Sequence, residues 1–299
     1  MSATPVQTHA LSTASRGPWI ARHPVAAFFA LAYAFSWLIT LPLLLGTNGL
    51  GLFAYTVPAG LVMPLVIIQS FGPATAGLVM AALTGSGARH LLKQYLRLRV
   101  GPVAYLGALV GPPLMIVLGV TVLRGTGAWE ALAQEGLLLL PYFLLYLVIL
   151  FFIGGPLGEE AGWRGFALPR LQARYGALLA SLIVAAGWVL WHLPLFFIPA
   201  ANTWTGSLVF YTGLAVALSI IHTWMYNRAQ ASLFVVTLLH AAVDASTRYL
   251  LPTIFGTDRA AGNLVPLIGF GVGAMLLIVL TRGRLAYHPG RDETNVQAT

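Results

Sequence analysis

The sequence has no cysteine and very little charge. Without cysteine there are no disulfides, no thiolate metal ligands and no cysteine nucleophile. Charged residues make up 8% of the chain, against roughly 25% in a soluble domain. Lysine occurs once, as Lys93. With 58% hydrophobic residues and a mean hydropathy of +0.83, this composition excludes an ordinary soluble fold. It indicates a polytopic membrane protein. The net charge of +8 is therefore read as basic loops on one side of a membrane, not as a nucleic-acid surface. No G-x-S-x-G occurs, so a serine hydrolase is poorly supported, and no H-E-x-x-H supplies ready zinc spacing. There is no internal repeat, which counts against common carrier folds.

What is present is a series of apolar runs near residues 24–45, 58–84, 102–123, 137–158, 177–198, 208–227, 231–251 and 261–281. They predict an all-α bundle of about eight transmembrane helices. Pro64 and Gly72-Pro73 predict a kink in the second run, and Gly269 to Gly273 marks a close helix contact. Residues 1–23 read as a disordered cytoplasmic tail without a signal-peptide pattern. Residues 24–284 read as one transmembrane domain and 285–299 as a second disordered tail. Of the 16 Lys and Arg residues, only Arg124, Arg248 and Arg259 fall in loops on one side. That bias places both termini in the cytoplasm, in a multi-pass plasma-membrane protein. Arg89, Lys93 and Arg97, four apart and interleaved with Leu92 and Leu96, predict an amphipathic helix over 89–99 lying on membrane lipid.

Ionisable groups are costly in hydrocarbon, so those inside the runs define the default site. Glu159-Glu160-Ala-Gly-Trp-Arg164 ends the fourth run. Glu160 and Arg164 are four apart and share a helix face, which predicts an ion pair. Glu159 is turned about 100° away and is free to face a cavity. Gly154-Gly-Pro156 predicts a helix restart just upstream. His192 lies in the fifth run, and His240 and Asp244, four apart, lie in the seventh. These pieces supply carboxylates and histidines from three helices. The set suits activation of water beside an oxyanion-stabilising group, and the same ligand types suit an open zinc site on Glu159, His192 and His240. His222 reads as structural. Asn227 either joins the site or ends its helix.

The stretch Gly155 to Gln172, with Glu159-Glu160 and Arg164, resembles the E-E-x-x-x-R motif of the CPBP intramembrane proteases, which include Rce1-type CAAX prenyl proteases and bacterial Abi proteins. Trp188-Val-Leu-Trp-His192 is similar to that family's F-x-x-x-H, with Trp188 keeping the bulk of the Phe. His240-Ala-Ala-Val-Asp244 is similar to its H-x-x-x-N/D. Order and spacing agree over about 140–250. The resemblance implies that Glu159 and His192 activate water, that His240 and Asp244 position the carbonyl and its oxyanion, and that Glu160 and Arg164 support them. The best-known members carry Asn at the position of Asp244, and an ionised Asp has no proton to donate to an oxyanion. The implied activity is an endopeptidase acting on a membrane-associated, CAAX-like protein or peptide, either as a metalloprotease holding Zn2+ or as a glutamate protease. Two other readings are a non-catalytic immunity or scaffold protein of the same family and a proton-coupled carrier.

Overall fold

The computed structural model describes residues 19–125, 127–153, 155–201, 207–252 and 259–290. Those residues form a helical bundle without strands. The turn α1 (Trp19–Arg22) leads into α2 (Pro24–Leu45), followed by α3 (Ala59–Gln69), α4 (Gly72–Leu83) and the short α5 (Ala88–Lys93). Next come α6 (Pro102–Arg124), α7 (Gly127–Ile153) and α8 (Pro156–Glu160). A π-helical turn, Ala161–Ala167, joins α8 to α9 (Leu168–His192). The bundle closes with α10 (Leu208–Arg228), α11 (Leu233–Ala245) and α12 (Arg259–Thr281). Among the described residues, six segments are long and apolar enough to cross a bilayer: Pro24–Leu45, Ala59–Leu83, Pro102–Leu123, Pro156–Phe197, Leu208–Arg228 and Gly262–Thr281. Leu139–Ile153 is a shorter apolar helix, and the seventh run is filled by α11 with its π-helical continuation Ser246–Leu250. The chain is thus a multi-pass helical membrane protein.

Proline and glycine set the joints. Proline stands in the first turn of α2, α4, α6 and α8, where its missing N–H is not needed. The second run is two helices, not one kinked helix. Pro73 has no N–H for the carbonyl of Gln69 four residues back. The Ser36 hydroxyl on α2 donates to that carbonyl instead, at 2.7 Å. A side chain on Gly72 would collide with the Ser36 oxygen. The fourth run is likewise two helices. It breaks before the glutamates, as Gly154-Gly-Pro156 predicts: α7 ends at Ile153, Gly155 takes φ 115°, and α8 restarts at Pro156. Glu159 and Glu160 therefore belong to the next helix. That helix bends at Gly176 (φ 75°, ψ 169°), which lets its end return toward its beginning.

Two further expectations change. Residues 89–99 are helical only through Leu96, and Arg97 (φ −78°, ψ 78°) ends the helix; the Arg97 guanidinium donates to the Gln230 carbonyl at 3.0 Å. Leu92 and Leu96 remain exposed. Residues 285–290, read as tail, pack against the bundle, with Leu285 fully buried. The remaining tail assignments, 1–18 and 291–299, lie outside the described residues. The glycine contact in the last helix is present, since Gly269 and Gly273 both face Met115 on α6.

The π-helical turn is seated by another close approach. Gly162 lies against the backbone of Pro73 in α4, and Gly77 of α4 faces Gly162 in return. A Cβ at Gly162 would overlap the Pro73 carbonyl oxygen and come within 2.8 Å of Pro73 Cβ. Gly162→Ala is expected to cost about 1–3 kcal/mol through overpacking, read as a lower thermal unfolding midpoint in detergent. A midpoint equal to wild type would show that α4 can shift without cost.

Candidate active site

The restart at Pro156 directs Glu159 and Glu160 into the bundle, where both are buried. Gly155 makes this possible, because a Cβ there would sit 2.7 Å from Glu159 Oε1. Tyr95, on the 3-10 turn after α5, donates its hydroxyl to the Leu157 carbonyl at 3.2 Å. Burial raises the Tyr95 pKa, so the phenol remains a donor. π-helical turns inside helices recur at functional sites, and here one follows Glu160 directly.

The two glutamates have different partners. Glu159 Oε2 accepts the indole N–H of Trp188 at 2.6 Å. Glu160 Oε1 accepts both an Arg164 N–H at 2.9 Å and His240 Nδ1–H at 2.7 Å. Arg164 is fully buried, with its guanidinium carbon 4.9 Å from the centre of the Trp188 ring. The ion pair expected between Glu160 and Arg164 is present. Glu159 shares a cavity with His192, whereas His240 bonds to Glu160 and the indole of Trp188 meets Glu159. Trp188 thus does more than keep bulk. Its ring stands edge-on to His192, His222 and His240, at centroid distances of 5.9, 6.1 and 5.4 Å.

His192, at the end of α9, donates Nδ1–H to the Trp188 carbonyl at 2.9 Å. A carbonyl can only accept, so Nε2 is left as the basic nitrogen. Glu159 and His192 line one cavity of about 170 Å³, together with Arg248 and apolar side chains of α3, α7 and the turn after α9. The bend at Gly176 is what brings these two motifs together. Asp244 is buried and pairs with Arg248 at 3.2 Å. Arg248, counted as a loop residue in the sequence, is instead on the π-helical turn after α11 and faces this cavity. Asn227 lies elsewhere. It bonds to the Gln172 side chain at 2.7 Å and the Leu285 carbonyl at 2.9 Å, so it fastens the C-terminal segment.

His222, read as structural, stands beside His240 with ring centroids 5.3 Å apart. Its Nδ1–H donates to the Leu218 carbonyl at 2.7 Å, and its Nε2 is buried without a partner. Glu160, His222 and His240 each offer a ligand atom within 4.8 Å of one another. Among the described residues, this set meets the spacing a metal ion requires, and Glu159, His192 and His240 do not. A lone histidine in an apolar run gives no sequence signal for this role.

Residues 141–246 match the family model described as type II CAAX prenyl endopeptidase Rce1-like. A CAAX prenyl protease 2 from Methanococcus maripaludis is 32% identical over 119 residues, 37% of this chain and 41% of that protein. The chain therefore spans about two-fifths of the length of that relative. The matched stretch begins within α7 and runs to the first residue after α11, so it contains both glutamates, the π-helical turn, the bend at Gly176 and all three histidines. Over that stretch the chain is similar to the Rce1-like CAAX prenyl endopeptidases.

Proposed function

We propose that the chain is an intramembrane endopeptidase that cleaves a peptide bond of a membrane-associated, CAAX-like substrate. The observation that carries this reading is the cavity shared by Glu159 and His192, with Glu160, Arg164 and His240 buried behind it. Glu159 and the Nε2 lone pair of His192 take the proton of a water, whose oxygen attacks the carbonyl carbon. As the C=O electron pair moves to oxygen, His240, with Asp244 one turn further along the same helix, stands by the developing charge. The proton then passes to the departing amine as the C–N bond breaks. The Trp188 N–H fixes one oxygen of Glu159, and Glu160 fixes the ring of His240.

A zinc ion suits Glu160, His222 and His240 better than the set Glu159, His192 and His240. The buried Nε2 of His222, with Nδ1–H held by a carbonyl, is the arrangement of a metal-ligating histidine. A bound ion there would supply Lewis-acid stabilisation of charge.

Peptide-terminus proteomics on membranes with wild type or Glu159→Gln, at matched expression, tests the reading. New termini only with wild type support the protease. Identical termini, with the variant still rescuing a deletion phenotype, favour the scaffold.

We also place both termini on the cytoplasmic face, with lipid contacting the apolar exterior. The absence of native cysteine makes this directly measurable. Lys93→Cys and Arg284→Cys are expected to resist an impermeant maleimide added outside intact cells, and Leu52→Cys to react. The reverse pattern would invert the topology.

A further inference from the structure

Arg248 is the one lysine or arginine among the residues lining the cavity. A guanidinium in a largely apolar membrane-embedded cavity is costly and marks a functional group. Among the described residues its ion-pair partner is Asp244, met through a single contact, Nη2 to Oδ2 at 3.2 Å. Arginine and a carboxylate commonly meet through two parallel bonds, because the guanidinium fork matches the two oxygens. Here the fork is turned so that Asp244 takes one arm. Nε is buried without a partner, and the side chain is 32% exposed against 4% for Asp244. Asp244 therefore holds Arg248 in place without saturating it. A purely structural pair would leave neither member facing the cavity that Glu159 and His192 line.

Apolar side chains, Met63, Val66, Ile149, Leu195 and Phe196 among them, supply most of the remaining wall, which Gln69 and Ser70 interrupt. Outside the reacting pair Glu159 and His192, a mostly apolar wall with one fixed guanidinium is complementary to a peptide segment carrying apolar side chains and one carboxylate. We infer that Arg248 is the anion-binding residue of this cavity and docks a carboxylate of the peptide substrate, held in position by Asp244. The carboxylate is either the α-carboxylate of a chain end or an Asp or Glu side chain. This rests on the hydrolytic reading above and names its substrate class.

The test compares peptides of one sequence as free acid and as C-terminal amide, and a second pair with an internal Asp or Asn. Wild type is expected to favour the carboxylate member of one pair by about tenfold or more in kcat/KM, the scale of a hydrogen-bonded charge. Whichever pair shows the preference identifies the source. Arg248→Met is expected to bring that ratio close to one, and Arg248→Lys to leave an intermediate value, since lysine keeps the charge without the fork. The ratio is taken within each variant, so loss of folded protein cancels. The double variant Asp244→Asn/Arg248→Met avoids an orphaned carboxylate and should also give a ratio near one. A wild-type ratio of one in both pairs, or a ratio unchanged in Arg248→Met, overturns the inference. If wild type cleaves none of the peptides, the hydrolytic reading fails separately. Arg248 is then judged by anisotropy of the same labelled peptides on Glu159→Gln with and without Arg248→Met. An equal affinity for acid and amide forms there overturns it.

Discussion

Glu159→Gln is expected to lower kcat for peptide cleavage by about 10²–10⁴, the usual contribution of a positioned general base, while leaving the fold intact. The substitution is isosteric. An amide oxygen still accepts the Trp188 N–H that now meets Glu159 at 2.6 Å, so no buried donor is orphaned. What disappears is the ability to take a proton from water. Trp188→Phe separates positioning from chemistry. It keeps a ring against His192 and His240 but removes the N–H, leaving Glu159 buried without that partner. The lost bond to a charged group is worth about 1.5–3 kcal/mol, so a fall of about ten- to a hundredfold in kcat is expected if Glu159 depends on it for orientation. Both variants are measured as purified protein in detergent, with circular dichroism and unfolding midpoints beside the kinetics. Full activity in Glu159→Gln would remove Glu159 from the reaction.

The parts of this site that sequence reasoning reached are those governed by spacing along one helix. Four residues separate Glu160 from Arg164, and the pair forms. Gly154-Gly-Pro156 is three residues with special backbone preferences, and the chain breaks there. The parts it missed depend on contacts between helices. Spacing along α8 shows that Glu159 and Glu160 face different ways, but not which of them meets a histidine on α11. That choice is made by Trp188, whose indole takes Glu159 and leaves His240 to Glu160. The return of α9 depends on one glycine, Gly176, adopting φ 75°. A single glycine in a glycine-rich membrane protein carries no such message. Loop-charge counting does not show that Arg248 faces a cavity, because counting cannot see that a π-helical turn prolongs α11 around it. Helix α10 holds no carboxylate and no second histidine, so the place of His222 beside His240 emerges only from the packing of α10 against α11.

Arg164→Met is expected to be among the most destabilising single substitutions in the protein. Arg164 and Glu160 are both wholly enclosed. Removing the guanidinium leaves Glu160 with only the N–H of His240, and an uncompensated buried charge typically costs about 3–5 kcal/mol. Methionine fills much of the same volume and can lie against the Trp188 ring, so the loss reports charge more than packing. The pair as a whole carries a different weight. Exchanging both charges for neutral side chains removes the desolvation cost along with the attraction, and such exchanges are often close to neutral. Glu160→Gln/Arg164→Met should therefore be more stable than Arg164→Met alone, and a double-mutant cycle should return a coupling of about 0.5–3 kcal/mol. Its activity should not recover in parallel, because a Gln at 160 holds the His240 ring without the charge that makes that bond strong. Stability regained with kcat still depressed would assign Glu160 to the placement of His240 and Arg164 to the stability of Glu160. A double variant no more stable than Arg164→Met would show that the arginine acts through its packing on Trp188.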